Sequence, residues 1–195
     1  SNMAWSRITI SSSSDSFSKA DISSTDICLG RGFSALGAEM PSTGSVLITT
    51  QHALENNLIN ELKNNDLIKP EGFYNKDTRF DFLIEKNKQK IFLEVKNVTL
   101  FRDKETAEFP DAITSRGSKH LLPLINAINK GYKSYLIFLV QIQNMQNFKI
   151  AKDIDSEYFK NYLIAKKAGV IFLAYRCKIN LKQIIIEKKL KIIND

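Results

Sequence analysis

Three side chains able to do chemistry together stand close in the chain: Asp81, then Glu94 and Lys96 after twelve intervening residues. They lie in two apolar runs, Arg79-Phe-Asp-Phe-Leu-Ile-Glu85 and Lys90-Ile-Phe-Leu-Glu-Val-Lys-Asn-Val98, separated by Lys86-Asn-Lys-Gln89. Bulky residues alternate with other side chains in both runs, which is the period of β-strands, and the break has the length of a hairpin turn. Alternation puts Ile91, Leu93 and Val95 on one face of the second strand. Phe92, Glu94 and Lys96 take the other face, with Glu94 and Lys96 roughly 7 Å apart. A hairpin closed symmetrically about Asn87-Lys88 sets Asp81 directly opposite Glu94. Two carboxylates and an ammonium then share one patch of a sheet.

Such a carboxylate pair suits Mg²⁺ or Mn²⁺, hard cations that take oxygen ligands, keep several waters and complete their shell with substrate phosphate. A cation held there polarises a phosphoryl oxygen and acidifies a bound water, while Lys96 steadies the nucleophile or the developing charge. The implied reaction is phosphodiester hydrolysis, with Asp81, Glu94 and Lys96 as its catalytic residues. The spacing Asp-x12-Glu-x-Lys matches the second half of the PD-(D/E)XK nuclease pattern. In a lysine-rich chain, Glu-x-Lys on an exposed strand also describes a solvated ion pair that contributes little. Glu71 is a candidate third carboxylate beside Asp81 and Glu94, or a surface residue at a strand end.

Other elements must hold this patch in place. Leu54, Leu58, Ile59 and Leu62 recur at helical spacing across Gln51 to Asn64 and predict an amphipathic helix over the sheet. Lys69-Pro70 is expected to break that helix, and Glu71-Gly-Phe-Tyr74 to begin the first strand. After the hairpin, Thr114 and Ser115 are candidate caps for a helix through Leu121, Leu124, Ile125 and Ile128 to a stop at Gly131. A start near Ser118 keeps Pro123 within its first turns. Arg116, Lys119 and His120 then cluster at the helix N-terminus, where backbone N–H groups favour phosphate, and are the predicted nucleic-acid contacts. A polar cap contact is the plainer reading of His120. Lys133 to Val140 and Val170 to Tyr175 read as strands buried on both faces, Ser156 to Ala168 as a helix closed by Gly169, and Ile179 to Glu187 as an edge strand. The order predicts an α/β fold with one mixed central sheet flanked by helices.

Composition agrees with a polyanionic partner. Up to Thr50 three basic residues face four acidic ones, so of the formal net charge of +7 the remainder of the 195 residues carries +8 against −1. A lysine-rich surface also serves solubility alone. No apolar run has the length of a membrane span. Cys28 and Cys177 share no metal-binding spacing and fit a reducing cytoplasm. Residues 1–50 are rich in serine and glycine, with little periodicity, and stay unassigned; residues 51–195 form the predicted α/β domain.

Three ordered segments carry a family resemblance: Arg79-Phe-Asp-Phe82, Leu93-Glu-Val-Lys-Asn-Val-Thr-Leu100 and Phe109-Pro-Asp-Ala-Ile-Thr-Ser-Arg-Gly-Ser-Lys-His-Leu121. They resemble the sugar fermentation stimulation protein A (SfsA) family, with its Glu-Val-Lys-x-Val-Thr-Leu and Phe-Pro-Asp-Ala-x-Thr-x-Arg-Gly-x-Lys-His-Leu motifs. The resemblance covers roughly Glu71 to Tyr175. It implies a PD-(D/E)XK, restriction endonuclease-like core, with Asp81, Glu94 and Lys96 at the catalytic positions and Glu71 at an upstream acidic position. Asp111, Arg116, Lys119 and His120 fall in the motif after the core. It further implies a bacterial cytoplasmic protein that acts on DNA and RNA as a nuclease, or a DNA-binding regulator of sugar metabolism, with a homodimer left open. Family members begin with an OB-fold-like domain. Pro41-Ser-Thr-Gly-Ser45 resembles a motif near the end of that domain, and residues 1–50 are expected to be either its truncated remnant or a leader that replaces it.

Overall fold

The computed structural model describes residues 43–76, 78–180 and 183–193. The leader up to residue 42, with Cys28, lies outside the described residues.

The hairpin at the centre of the sequence forms as its alternation requires. Strands β1 (Leu67–Phe73), β2 (Arg79–Lys86) and β3 (Gln89–Val98) make an antiparallel meander. The β2–β3 register runs from Phe82 opposite Leu93 to Lys86 opposite Gln89, which centres the turn on Asn87 and Lys88. Both turn residues take positive φ, +50° and +64°, the backbone that a tight two-residue hairpin needs.

From β3 the chain turns parallel. Strand β6 (Lys133–Val140) lies beside β3 and β8 (Ile171–Ile179) beside β6, each reached by a crossover that contains a helix, as parallel pairing demands. Strand β9 (Ile184–Lys189) returns antiparallel to β8, giving the six-stranded order β1-β2-β3-β6-β8-β9. β9 is an edge strand, as its lysines predict. Strand β6 is buried at every position after Lys133, and its two faces feed two cores. Leu136, Phe138 and Val140 pack under helices α2 (Ser115–Asn129) and α3 (Ser156–Ala168). Tyr135, Ile137 and Leu139 pack with Val46, Ala53 and Leu54 of helix α1 (Thr43–Glu55).

Four departures from expectation have local causes. Helix α1 runs Thr43–Glu55 instead of Gln51 to Asn64, and so crosses residue 50. Asn57 ends it at φ +56°, a left-handed conformation that asparagine tolerates, and the Asn56 side chain donates to His52 O at 2.8 Å. Ile59 and Leu62 are buried all the same, through a 3-10 turn over Asn60–Leu62. Pro70 does not break an element but sits inside β1, opposite Phe82, and is tolerated because β1 is an edge strand. Helix α2 starts one turn early, so Pro123 lies in its interior. A second sheet accompanies the first, with the order β10-β7-β5-β4: β4 (Leu100–Phe101), β5 (Thr106–Phe109), β7 (Asn147–Ile150) and β10 (Lys191–Ile192). Strands this short leave no readable period in a sequence.

The whole is a mixed α/β fold of two sheets flanked by helices. Among the described residues no helix is long and apolar enough to cross a membrane.

Candidate active site

The site begins with an irregularity in β2. Phe82 and Ile84 face the α1 core and Leu83 the α2 core, as alternation requires, yet Phe80 also packs on the α2 side. The face pattern therefore slips a step at Asp81. Strand pairing with β3 stops at Phe82 and Leu93, just short of Asp81 and Glu94. There the Val95 N–H donates to Asp81 Oδ2 at 2.7 Å. A side-chain carboxylate thus takes the place of a strand carbonyl, which anchors it beside β3.

Regular alternation on β3 turns Glu94 and Lys96 to the α2 side. Glu94 Oε1 accepts from Lys96 Nζ at 2.7 Å and lies 2.6 Å from His120 Nδ1. The Glu94 side chain is 6% exposed, so this one oxygen carries two partners in a largely dry setting. His120 Nδ1 is also 3.3 Å from Lys96 Nζ. A nitrogen that donates to Glu94 cannot accept from Lys96, so the shorter contact favours the tautomer with hydrogen on Nδ1.

The two carboxyl groups are driven apart in acidity. Burial, and then the charge of Glu94, pushes Asp81 up to about 6. Burial pushes Glu94 up as well, but the hydrogen bond from His120 and the charge of Lys96 outweigh it and hold Glu94 below its ordinary value. Neighbouring acids with separated affinities for a proton are a common property of reaction centres.

Helix α2 delivers His120, and a buried carboxylate fixes the helix. Thr114 Oγ1 caps α2 by accepting from Gly117 N at 2.9 Å. Asp155 Oδ2 accepts from Thr114 N and its Oδ1 from Tyr158 N, both at 2.8 Å, so one side chain ties together the starts of α2 and α3. At the mouth, a cavity of about 150 Å³ is lined by Thr78, Arg79, Phe80, Glu94, His120 and Pro123.

The structure thus brings together Asp81, Glu94, Lys96 and His120. It does not bring in Glu71. That residue lies on β1 between Pro70, paired with Phe82, and Gly72, paired with Phe80, but takes φ +49°, and its carboxylate is 73% exposed and paired with Arg79 at 3.4 Å. Positive φ rotates its side chain away from the regular pleat. Among the described residues no three His, Cys, Asp or Glu side chains are arranged to hold a metal ion. His120, expected to contact phosphate, turns Nδ1 inward to Glu94. Lys119 is exposed on α2, Asp111 is exposed ahead of it, and Arg116 lies in the first turn of the helix. Sequence reasoning missed two residues. Arg79 was signalled by its place two positions before Asp81; the role of Asp155 had no signal beyond its place ahead of a helix.

Known proteins share this arrangement of chain. Residues 48–183 match the family model of the SfsA "Sugar fermentation stimulation protein RE domain". A sugar fermentation stimulation protein homolog of Pelagibacter ubique is 72% identical over 143 residues, covering 73% of this chain and 62% of that protein. A homolog from Clostridium beijerinckii is 42% identical over 121 residues, covering 62% of this chain and 53% of its own length. The solved structure of Pyrococcus furiosus SfsA in complex with Ca²⁺ superposes with a TM-score of 0.67 at 29% identity, over 74% of this chain and 62% of that one. The chain therefore spans less than two thirds of the length of these relatives. With a family model matched across both carboxylates, the lysine and the histidine, the chain belongs to the sugar fermentation stimulation protein (SfsA) family.

Proposed function

We propose that this chain is a divalent-metal-dependent nuclease that hydrolyses phosphodiester bonds in DNA and RNA. One observation carries the reading: buried Glu94 and half-buried Asp81 lie close enough on adjacent strands for their charges to interact, Asp81 accepting from Val95 N–H next to Glu94 and Glu94 paired with Lys96. Like charges held together out of water raise each other's energy, and a dication beside them relieves that repulsion.

The donor set fits Mg²⁺ or Mn²⁺. Among the described residues Asp81 Oδ1 and Glu94 Oε2 make no hydrogen bond, which leaves one oxygen on each carboxylate for a cation. Mg²⁺ is commonly held by one or two carboxylates, with water and substrate phosphate completing the shell, so a third protein ligand is not required. The Pyrococcus furiosus relative was solved with Ca²⁺, a cation of the same oxygen-seeking class. When bound, such a cation supplies Lewis-acid polarisation of a phosphoryl oxygen and a more acidic water.

The chain's own residues do the rest. Val95 N–H fixes Asp81, and His120 Nδ1–H with Lys96 Nζ orients Glu94. The Lys96 ammonium stands ready to stabilise negative charge that develops on oxygen in the transition state. Arg79, exposed at the mouth, and Lys119 offer positive charge to the flanking phosphates.

The test is cleavage of labelled single- and double-stranded DNA and RNA with Mg²⁺, Mn²⁺ or EDTA by the wild type, Asp81→Asn and Lys96→Ala. Metal-dependent cutting lost in both variants is the expected result. No cutting by the wild type, with tighter DNA retention by Asp81→Asn, would instead identify a DNA-binding regulator on a nuclease scaffold.

A further inference from the structure

Phe73 closes β1 with its side chain 57% exposed, unusual for a large aromatic residue. It is paired across the strands with Arg79, whose guanidinium carbon stands 4.3 Å from the ring centroid. Glu71 holds that guanidinium from the side, its Oε2 3.4 Å from Arg79 Nη1. Arg79 also lines the cavity that contains Glu94 and His120. An exposed ring and the cation over it therefore adjoin, through Arg79, the cavity that contains Glu94 and His120.

We infer that Phe73 and Arg79 form a stacking platform for an unpaired nucleobase next to the reacting phosphate, which makes single-stranded or locally melted nucleic acid the preferred substrate. This rests on the nuclease reading above. An exposed aromatic ring receives a base through the π-face that Arg79 does not cover, and a base in a duplex already has both faces covered by its neighbours. The cation fits the same ligand, because a base that leaves its stack brings its phosphate with it, and Arg79 can bond that phosphate while remaining over the ring. Burial gives no competing account of Phe73: its ring is absent from both apolar cores, whereas Phe80, one residue after Arg79, is in one of them.

The experiment is equilibrium binding in EDTA, where nothing is cut, of labelled single-stranded DNA, single-stranded RNA and blunt duplex DNA to wild type, Phe73→Ala and Phe73→Trp. The exposed position leaves folding intact in both variants, which thermal melting verifies. Phe73→Ala is expected to weaken single-strand binding about tenfold, in the range of one base–aromatic stack, and to leave duplex binding within about twofold. Phe73→Trp should restore the affinity and show indole quenching, beyond that of the wild type, with single strands and not with duplex. The DNA and RNA arms reveal which sugar the platform accepts. Equal loss on single strand and duplex, no loss on either, or no single-strand binding by the wild type would overturn the inference. Because the readout needs no cleavage, an absence of metal-dependent cutting would sink the nuclease reading while leaving the stacking result to stand or fall by itself.

Discussion

His120 Nδ1 lies 2.6 Å from the same Glu94 oxygen that accepts from Lys96 at 2.7 Å, so a helix residue and a strand residue converge on one atom. The pair joins the two layers of the site. Removing His120 should loosen Glu94 without touching the fold of the sheet. His120→Ala is expected to weaken metal affinity or cleavage about 10- to 100-fold, as loss of a partner behind a metal ligand commonly does. A titration of cleavage rate against Mg²⁺ checks this, and His120→Gln should recover part of the loss.

Asp81 makes metal-free stability depend on pH. Its folded-state pKa of about 6 lies above the ordinary 3.8, so between these values the folded protein binds more protons than the unfolded chain. The contribution is fully present below about pH 4 and is lost as pH rises through about 6. Asp81→Asn, which retains an acceptor for Val95 N–H, removes the penalty. In EDTA at pH 7 the variant should be more stable by at most about 3 kcal/mol, a gain of several degrees in Tm. At pH 4 the two proteins should melt together.

Glu108 is 1% exposed, on β5 of the small sheet, and depends on Arg102, whose Nε reaches both its carboxylate oxygens at 3.0 and 3.1 Å. Arg102 also pairs with Asp153, and Lys149 stands 4.0 Å from Glu108. Arg102→Met should lower stability measurably, because buried Glu108 is then left with Lys149 alone as a charged partner. Urea unfolding measures it. Arg102→Met combined with Glu108→Gln should recover most of that loss.

Asp155 offers a separation of stability from activity. Asp155→Ala removes the acceptor for both helix starts and should cost about 1–2 kcal/mol through the lost cap alone. Asp155→Asn keeps one good acceptor, so α3 stays capped while the link to Thr114 weakens. The expected result is near-normal melting with reduced cleavage, since His120 then sits on a less firmly held helix. Equal losses in both measurements would reduce Asp155 to a structural cap.

Much of the site was legible because it depends on local rules. Alternation along β3 sorts Glu94 and Lys96 from Val95, and the length of the turn sets the register as far as Phe82 and Leu93, so spacing brings Asp81 and Glu94 to the same end of the hairpin. The buried strands, the N-cap of α2 and the end of α3 follow from apolar runs and from Thr114 and Gly169 in the same way. What the chain order could not express was decided by packing. The slip at Asp81 depends on which core takes Phe80, and the exit of Glu71 depends on a backbone angle set by the edge strand. His120 reaches Glu94 from a helix whose start is tied down by Asp155, 35 residues further along. The extent of α1 and the existence of the second sheet were likewise settled by burial. Ile59 and Leu62 can reach a core without being helical, and two- to four-residue strands form only when longer neighbours provide their edges. Sequence determines periodicity and local turn chemistry; tertiary structure alone decides which distant groups meet, because those contacts arise from the filling of a common core.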